Sequence, residues 1–337
     1  MSEDLQNIAK KIVNNGKGIL AADESTNTIK KRFESINVES NEKTRSSYRD
    51  MLFSTPEISK YISGVILFEE TFFQKNEDGE SLKDKLQNID CCPGIKIDQG
   101  LEEISKDSIE TFTNGIETLN DRIKPFVENG AKFTKWRAVI NIGENMPSAD
   151  CIKKNSYLLS EYALISQNNG LVPIVEPEVI MEGSHSLDEC YEVTKETLNR
   201  VFNDLKKKEI NLKGMLLKPN MVVPGSKSGI DLNTKEIAEK TLKCLKETVP
   251  NEVTGIVFLS GGLSSLNATM ILNEINKLND APWNLSFSYG RALQEDALKA
   301  WAGKNENKNK VQEIFLHRAK MNSLACNGKW ETSLENE

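Results

Sequence analysis

The chain has 337 residues, of which 38% are hydrophobic, and its formal net charge at pH 7 is −7. This length suits one α/β barrel with terminal extensions and can bury a large core. The acidic balance argues against nucleic acid as the main partner, because phosphate backbones demand a basic footprint, and no apolar run approaches the roughly 18 residues that span a bilayer.

Eight short apolar segments recur along the chain, and most of them open at a glycine and end in polar residues. Runs bounded in this way are typical of strands covered on both faces, as in a parallel sheet. The predicted strands are 18–23, 64–70, 94–98, 133–139, 170–178, 214–221, 255–262 and 285–291.

Helical patterns fill most of the gaps between these strands. Periodic apolar residues predict an N-terminal helix over 5–12. Cap and stop signals predict helices over 147–169, 186–208 and 233–249, the second of them opened by a Ser-x-x-Glu capping box. A long C-terminal helix is predicted over 306–326.

Strands that alternate with helices indicate a parallel α/β sheet. Eight strands with similar helical spacers predict a closed (β/α)8 TIM barrel rather than an open sheet. We therefore expect a single domain over residues 1–337, with barrel strands within about 18–291 and a C-terminal helix and short tail within 305–337. The N- and C-terminal helices are expected to pack outside the barrel.

Ionisable residues gather at one end of the predicted strands, the carboxyl end, where the chemistry of barrels collects. Residues two apart on a strand share a face, so Lys135 and Arg137 point together, and so do Glu176 and Glu178. Charges inside a barrel are costly unless they pair or contact a substrate. Three lysines, an arginine, two glutamates and an aspartate are hard to explain as structural ion pairs: Asp23, Lys96, Lys135, Arg137, Glu176, Glu178 and Lys218.

Single positions among these also have structural interpretations. Lys96 alone is as readily a salt-bridge partner as a binding residue. Glu178 could neutralise either Lys135 or Arg137. The segment 260–262 (Ser-Gly-Gly) could be only a turn, although two glycines between a strand and a helix also allow a phosphate to approach the backbone closely.

The two histidines, His185 and His317, lie away from the predicted strand ends, so a zinc-dependent mechanism lacks its ligands. An enzyme that acts on a carbonyl compound without zinc must activate the carbonyl covalently, and a lysine does this by forming an iminium that acts as an electron sink. An ordinary lysine has a pKa near about 10.4, and burial and nearby cations lower it. Lys218, on an apolar strand close to the one that carries Lys135, has the best environment for this role.

Nine segments of the chain resemble class I fructose-bisphosphate aldolases, in the order of the family and over nearly the whole length. Each would be weak evidence alone, but together they are highly specific. They are 18–26 (GILAADEST), 65–68 (VILF), 94–98 (GIKID), 135–137 (KWR), 172–178 (VPIVEPE), 216–221 (LLKPNM), 258–262 (FLSGG), 287–293 (FSYGRAL) and 297–303 (ALKAWAG).

The resemblance implies reversible cleavage of fructose 1,6-bisphosphate to dihydroxyacetone phosphate and glyceraldehyde 3-phosphate, in glycolysis, gluconeogenesis or carbon fixation. It implies no metal and no cofactor, and an enzyme that is usually a homotetramer. The first ten residues are acidic and lack the apolar core of a secretory signal. Together with six cysteines that form no C-x-x-C pair, this predicts reduced thiols and a cytoplasmic location.

The resemblance also implies roles for individual residues. Lys218 forms the Schiff base and Glu176 dehydrates the carbinolamine. Asp23 takes the proton of the C4 hydroxyl, supported by Lys135 and Glu178. The C1 phosphate is expected at Ser260, Gly261, Gly262, Ser288, Gly290 and Arg291. The other phosphate is expected at Arg32, Ser25, Thr28 and Lys96, with Arg45 and Arg137 as weaker candidates.

The chain departs from the family pattern at four places. Thr28 stands where Ser is common, Gln99 where Lys is common, and Glu69 where His or Gln is usual. Animal members continue into a longer tail that ends in a Tyr, whereas this sequence has no Tyr after Tyr289. We expect its acidic segment 329–337 to be mobile and to play no part in catalysis.

Two other functions remain possible at this stage. A transaldolase-like enzyme would also use a Schiff base on a sugar phosphate, but the doubled phosphate sites argue against it. A scaffold barrel that only binds a partner would be expected to lose Lys218 or Glu176, and both are present.

Overall fold

Eight parallel strands close into a barrel in the computed structural model, which describes residues 2–336. The strands along the chain are β1 Gly18–Ala22, β2 Ile62–Leu67, β3 Cys92–Lys96, β4 Leu101–Glu103, β5 Thr111–Thr113, β6 Phe133–Ile140, β7 Val172–Val179, β8 Leu216–Leu217, β9 Gly255–Phe258 and β10 Asn284–Tyr289. Around the barrel their order is β1-β10-β9-β8-β7-β6-β3-β2, whereas β4 and β5 form a separate antiparallel pair.

Helices follow the strands and form the outer layer. They are α1 Ser2–Val13, α2 Thr26–Glu34, α3 Glu42–Phe53, α4 Glu69–Phe73, α5 Leu82–Asn88, α6 Leu119–Arg122, α7 Lys124–Glu128, α8 Ala149–Asn168, α9 Leu187–Lys207, α10 Thr234–Thr248, α11 Ser265–Leu278, α12 Arg291–Trp301 and α13 Lys308–Ala325. No helix within residues 2–336 is long and apolar enough to cross a membrane.

The sequence-predicted helix boundaries are confirmed to within a few residues, because the caps act as the sequence signals require. Ser148 accepts a hydrogen bond from the N–H of Cys151 at the start of α8. Ser186 and Glu189 form the predicted capping box of α9, and Asn233 caps α10. These side chains satisfy N–H groups that have no partner inside the helix.

Large rings and small residues alternate inside the barrel. A Cβ added at Gly94 would lie 2.2 Å from the ring of Phe133, and one at Gly64 would lie 3.1 Å from the same ring. Glycines near the starts of the strands therefore make room for this ring, which is fully buried. This close approach explains why several predicted strands open at a glycine.

The N-terminal helix α1 closes the amino-terminal end of the barrel. Its apolar residues Leu5, Ala9 and Ile12 belong to the same buried cluster as the interior side chains Ile19 and Ile66. Both terminal helices lie outside the ring of strands, as predicted, and α1 covers the end opposite the polar strand termini. By contrast, α13 packs on the outer helices α3, α11 and α12.

Strand β8 is shorter than predicted, because regular pairing ends beyond Leu217. The N–H of Lys218 still donates to the carbonyl of Val175 at 2.8 Å, but Pro219 has no N–H and cannot continue the ladder. The residues that follow leave the sheet and enter the loops of the barrel mouth.

The segment after α13 is docked rather than loose, in contrast to the expected mobility. Residues Thr332–Asn336 form a short 3-10 helix. The Glu335 carboxylate accepts hydrogen bonds from Arg318 at 3.0 and 2.6 Å and from the indole N–H of Trp330 at 2.8 Å. The acidic composition of residues 329–337 does not predict these contacts of Glu335.

Candidate active site

The polar ends of the barrel strands surround a cavity of about 470 Å³ at the carboxyl-terminal mouth. Nearly all of the candidate residues predicted from the sequence line it. They are Asp23, Ser25, Thr28, Arg32, Lys96, Lys135, Arg137, Glu176, Glu178, Lys218, Ser260, Gly261, Ser288, Gly290 and Arg291.

Four charged groups, three of them buried, form the centre of this cavity. The Lys218 ammonium lies 3.1 Å from Glu176 Oε1, and the other oxygen of Glu176 lies 3.5 Å from the Lys135 ammonium. Lys135 in turn lies 2.8 Å from Asp23 Oδ2. The side chains of Lys218, Glu176 and Lys135 are each at most 5% exposed, so these contacts are largely shielded from water.

The charges around Asp23 and Lys135 hold these two groups ionised. Burial by itself would raise the pKa of Asp23, but Lys135 and Lys218 outweigh it and hold that pKa well below its ordinary value. Burial would likewise lower the pKa of Lys135, yet Asp23 and Glu176 raise it well above the ordinary lysine value. Asp23 is therefore a carboxylate and Lys135 a cation near neutral pH.

Strand β6 sends its side chains to two environments, as the period of two requires. Trp136 points outward and stacks on Tyr162 of α8 at 5.5 Å between ring centroids. Lys135 and Arg137 point inward, as predicted. The sequence left open which of them Glu178 neutralises, and in the structure Glu178 pairs with Arg137.

One edge of the cavity presents backbone and hydroxyl groups suited to an anion. Gly261 has a φ of +54°, which favours glycine, in the turn after β9. Arg291 donates to the Gly261 carbonyl at 2.8 Å, and its helix α12 has no side-chain cap at its N-terminus. The buried hydroxyl oxygen of Ser288 has no hydrogen-bond partner among the described residues. Free N–H and O–H donors next to a guanidinium are a typical phosphate site.

A second polar group lines the opposite part of the mouth. The hydroxyls of Ser25 and Thr28 lie 3.1 Å apart at the N-terminus of α2. They border both the central cavity and an adjoining one of about 690 Å³, together with Lys96 and Arg137. Arg32 lies one turn further along α2, beside Gly290, and thus between the two groups.

Two sequence-predicted residues do not line the central cavity in the described part of the chain. Arg45, a weaker substrate-binding candidate, lies on α3 and is engaged by Glu70, with Arg45 Nε 2.8 Å from one carboxylate oxygen. Gly262 faces Met181, whose sulfur would lie 3.2 Å from an added Cβ. The family resemblance gave Arg45 as a weaker candidate for the second phosphate site, and its pairing with Glu70 is not visible in the sequence.

Two acidic residues at the site were missed in the sequence. Glu24 lies in the cavity wall and pairs with Arg32. Asp98 follows β3, and its side chain, which is 5% exposed, pairs with Lys96. The two-residue period that linked Lys135 with Arg137 could have identified Asp98 beside Lys96.

A buried lysine next to a carboxylate in the mouth of a (β/α)8 barrel, between groups suited to two phosphates, is the arrangement of an aldolase that works through a Schiff base. Comparisons with known proteins agree. Residues 4–337 match the family model described as "Fructose-bisphosphate aldolase class-I".

Individual relatives extend this agreement. The chain is 51% identical to cytosolic fructose-bisphosphate aldolase 4 of Arabidopsis thaliana over 94% of this chain and 81% of the relative. It is 47% identical to a probable class 1 fructose-bisphosphate aldolase of Xanthomonas axonopodis pv. citri over 98% of this chain and 99% of the relative. Its fold matches the solved structure of fructose-bisphosphate aldolase from Plasmodium falciparum, crystallised with TRAP and a small-molecule inhibitor. That match has a TM-score of 0.96 and 47% identity, over 98% of this chain and 96% of the other.

The chain therefore belongs to the class I fructose-bisphosphate aldolase family, a family of metal-independent lyases that use a lysine Schiff base. The sequence-based predictions of the barrel, the family and a carbon–carbon lyase are confirmed.

Proposed function

We propose that Lys218 is the nucleophile with which this chain cleaves fructose 1,6-bisphosphate into dihydroxyacetone phosphate and glyceraldehyde 3-phosphate. The observation that supports this assignment is the pairing of Lys218 with Glu176 at 3.1 Å in a buried cavity that has anion-binding groups on both sides. Lys135 and Lys96 line the same cavity but are engaged by Asp23 and Asp98.

The first half of the reaction joins the ketone to the enzyme. The neutral amine of Lys218 attacks the C2 carbonyl carbon, and the carbonyl oxygen takes up a proton. Loss of that oxygen as water then leaves a C2 iminium. Glu176, within hydrogen-bond reach of the amine, supplies and removes these protons.

The second half breaks the C3–C4 bond. Asp23 accepts the proton of the C4 hydroxyl, so that C4 becomes an aldehyde carbon and glyceraldehyde 3-phosphate leaves. The electron pair of the broken bond moves to C3 and neutralises the iminium as an enamine. Protonation at C3 and hydrolysis of the iminium then release dihydroxyacetone phosphate and restore the Lys218 amine.

The positively charged Lys135 stabilises both proton-transfer partners. It lies 2.8 Å from Asp23 and 3.5 Å from Glu176, so it holds the two carboxylates in place around the reacting carbons. Glu178 takes part indirectly, since it binds Arg137 rather than Lys135.

The two polar edges hold the two phosphates. We assign the C1 phosphate to the turn at Ser260 and Gly261, with Ser288, Gly290 and Arg291. We assign the second phosphate to the other edge, with Ser25, Thr28, Lys96 and Arg137 as its ligands, and Arg32 between the two. Gly262 serves the turn rather than the cavity wall, and Arg45 is left out of both sites.

A cytoplasmic homotetramer is the further part of this proposal. Several of the relatives are named as cytosolic or cytoplasmic isozymes, and all six cysteines are free, five of them buried. Sedimentation velocity of the purified chain tests the oligomeric state, and a monomer would contradict it.

Reductive trapping tests the assignment of the nucleophile. Borohydride added in the presence of dihydroxyacetone phosphate should inactivate the enzyme and label Lys218, as read by peptide mass mapping. The Lys218→Arg variant keeps the positive charge and is the matched control, which should take up no label. A label on Lys96 or Lys135 would overturn the assignment.

A further inference from the structure

Asp98 lies in the wall of the adjoining cavity of about 690 Å³, beside the central cluster of charges. It follows β3, two residues after Lys96, and its side chain is 5% exposed. One carboxylate oxygen, Oδ1, binds the Lys96 ammonium and accepts the N–H of Gly100 at 3.3 Å. Lys96 also donates to the backbone carbonyl of Asp98 at 3.0 Å. Lys96 is therefore bound by both the carboxylate and the backbone carbonyl of Asp98.

The second oxygen of Asp98 has a different environment. Oδ2 is buried without a hydrogen-bond partner among the described residues. It lies 4.0 Å from the ammonium of Lys135. A buried carboxylate oxygen without a hydrogen bond is costly, so its position is best explained by the charge that it faces.

Asp98 balances the charge at the centre of the site. The connected ion pairs join three lysines, Lys96, Lys135 and Lys218, to three carboxylates, Asp23, Asp98 and Glu176. With all six groups ionised, the cluster is neutral. Without Asp98 it carries an uncompensated positive charge, and Lys96 and Lys135 repel each other across a poorly hydrated space.

We propose that Asp98 is a positioning residue that fixes the ammonium groups of Lys96 and Lys135 by lying between them. It keeps Lys96 at the second phosphate site and keeps Lys135 within reach of both Asp23 and Glu176. It does not touch the reacting carbons. This inference rests on the proposed roles of Lys135 and Lys96 and extends them to Asp98, the last residue of the segment 94–98, to which the sequence analysis assigned no role.

The consequence for pH dependence follows from the groups that surround Lys135. Asp23, Glu176 and Asp98 face it from the ends of β1, β7 and β3, and Lys218 and Lys96 complete the cluster. Burial alone would lower the pKa of Lys135, and the three carboxylates together raise it. Loss of the Asp98 charge removes one of these contributions, so Lys135 loses its proton at lower pH.

Two arginines also lie near Asp98, but both are held by other groups. The charge of Asp98 acts on Arg137 and on Arg122. Arg137 is already bound to Glu178, and Arg122 donates to the backbone carbonyls of Ile97 and Gly115 at 2.9 and 2.7 Å.

Asp98→Asn keeps the shape of the side chain and removes its charge. We expect kcat for cleavage to fall by about tenfold and KM to rise, as when a charged group that orients the reacting groups is lost. The alkaline limb of the kcat profile should move to lower pH, because Lys135 loses one of the charges that hold its proton. Glu102→Gln, an exposed acid in the neighbouring β4, is the matched control for loss of one negative charge and should show neither change.

Borohydride trapping with dihydroxyacetone phosphate separates this proposal from the proposed function. Asp98→Asn should still label Lys218, because Glu176 and Lys218 are intact. Labelling of another lysine in the wild-type enzyme would sink the catalytic assignment, whatever Asp98 does. A turnover within twofold of wild type with an unchanged pH profile in Asp98→Asn would overturn the role of Asp98 alone. If Asp98→Asn does not fold, Asp98→Glu decides: it keeps the charge but displaces Lys96, and wild-type turnover in that variant would also overturn the positioning role.

Discussion

Removing the docking of the C-terminal segment should lower stability and leave catalysis intact. The Glu335 carboxylate accepts two hydrogen bonds from Arg318 and one from Trp330, and its side chain is 15% exposed. Hydrogen bonds to a charged group contribute about 1.5–3 kcal/mol, and partners left unsatisfied add a penalty. We therefore expect Glu335→Gln to lower the free energy of unfolding by about 2–3 kcal/mol. Truncation after Trp330 should cost at least as much.

The assay compares urea unfolding and steady-state cleavage in parallel. None of these three residues lines the catalytic cavity, so kcat should stay within about twofold at temperatures where the variants are folded. Glu331→Gln is the matched control, because this exposed side chain forms no ion pair within the described residues. Its unfolding free energy should match that of the wild type.

The stability difference should also depend on pH. Burial would raise the pKa of Glu335, but the hydrogen bonds and charge of Arg318 outweigh it and lower that pKa below the ordinary value. A carboxylate with a lowered folded-state pKa contributes its stability above the unfolded pKa of about 4.3. That contribution disappears as the pH falls through the folded-state pKa. The gap between wild type and Glu335→Gln should therefore narrow below about pH 4.

Two results would refute this reasoning. An unfolding free energy unchanged by Glu335→Gln would show that the docked segment does not form in solution. A tenfold or greater loss of turnover after truncation, with substrate affinity retained, would show that residues 331–337 take part in catalysis.

Two further predictions separate phosphate binding from structure. Arg291→Ala should raise KM for fructose 1,6-bisphosphate and weaken inhibition by dihydroxyacetone phosphate by about tenfold or more, as for the loss of a charge-assisted contact. Borohydride trapping should remain detectable. An unchanged affinity for dihydroxyacetone phosphate would show that the C1-phosphate site is assigned to the wrong residues. Arg45→Met should leave KM within about twofold but lower the melting temperature, since Glu70 loses its partner. A large rise in KM with unchanged stability would show that Arg45 binds the substrate.

The barrel could be predicted from the sequence because its signals are local. Gly-bounded apolar runs and capped helices each report on a few adjacent residues, and eight such units have few ways to close. The pair β4 and β5 was missed because β4, Leu101–Glu103, is exposed and carries two glutamates. It lacks the apolar alternation that marks a half-buried strand.

The composition of the site could be predicted, but its pairings could not. The strand period shows that Glu176 and Glu178 point inward together. It does not show that one contacts Lys218 and Lys135 while the other binds Arg137. The register between the two strands places Arg137 opposite Glu176, whereas its side chain binds Glu178, two residues further along β7. No pattern within one strand contains this information.

The same pairings suggest an order of events in substrate binding. Arg32 is engaged by Glu24, Arg137 by Glu178 and Lys96 by Asp98, so each must share or exchange a carboxylate before it binds phosphate fully. Within residues 2–336, Arg291 has no carboxylate within ion-pair distance, and it donates to the Gly261 carbonyl at 2.8 Å. A phosphate at Arg291 therefore displaces a neutral acceptor and breaks no ion pair, which makes the C1 edge the less costly point of entry. Under the proposed assignment, binding there places C2 near Lys218 before the second phosphate is held, so dihydroxyacetone phosphate alone should be trapped on the amine.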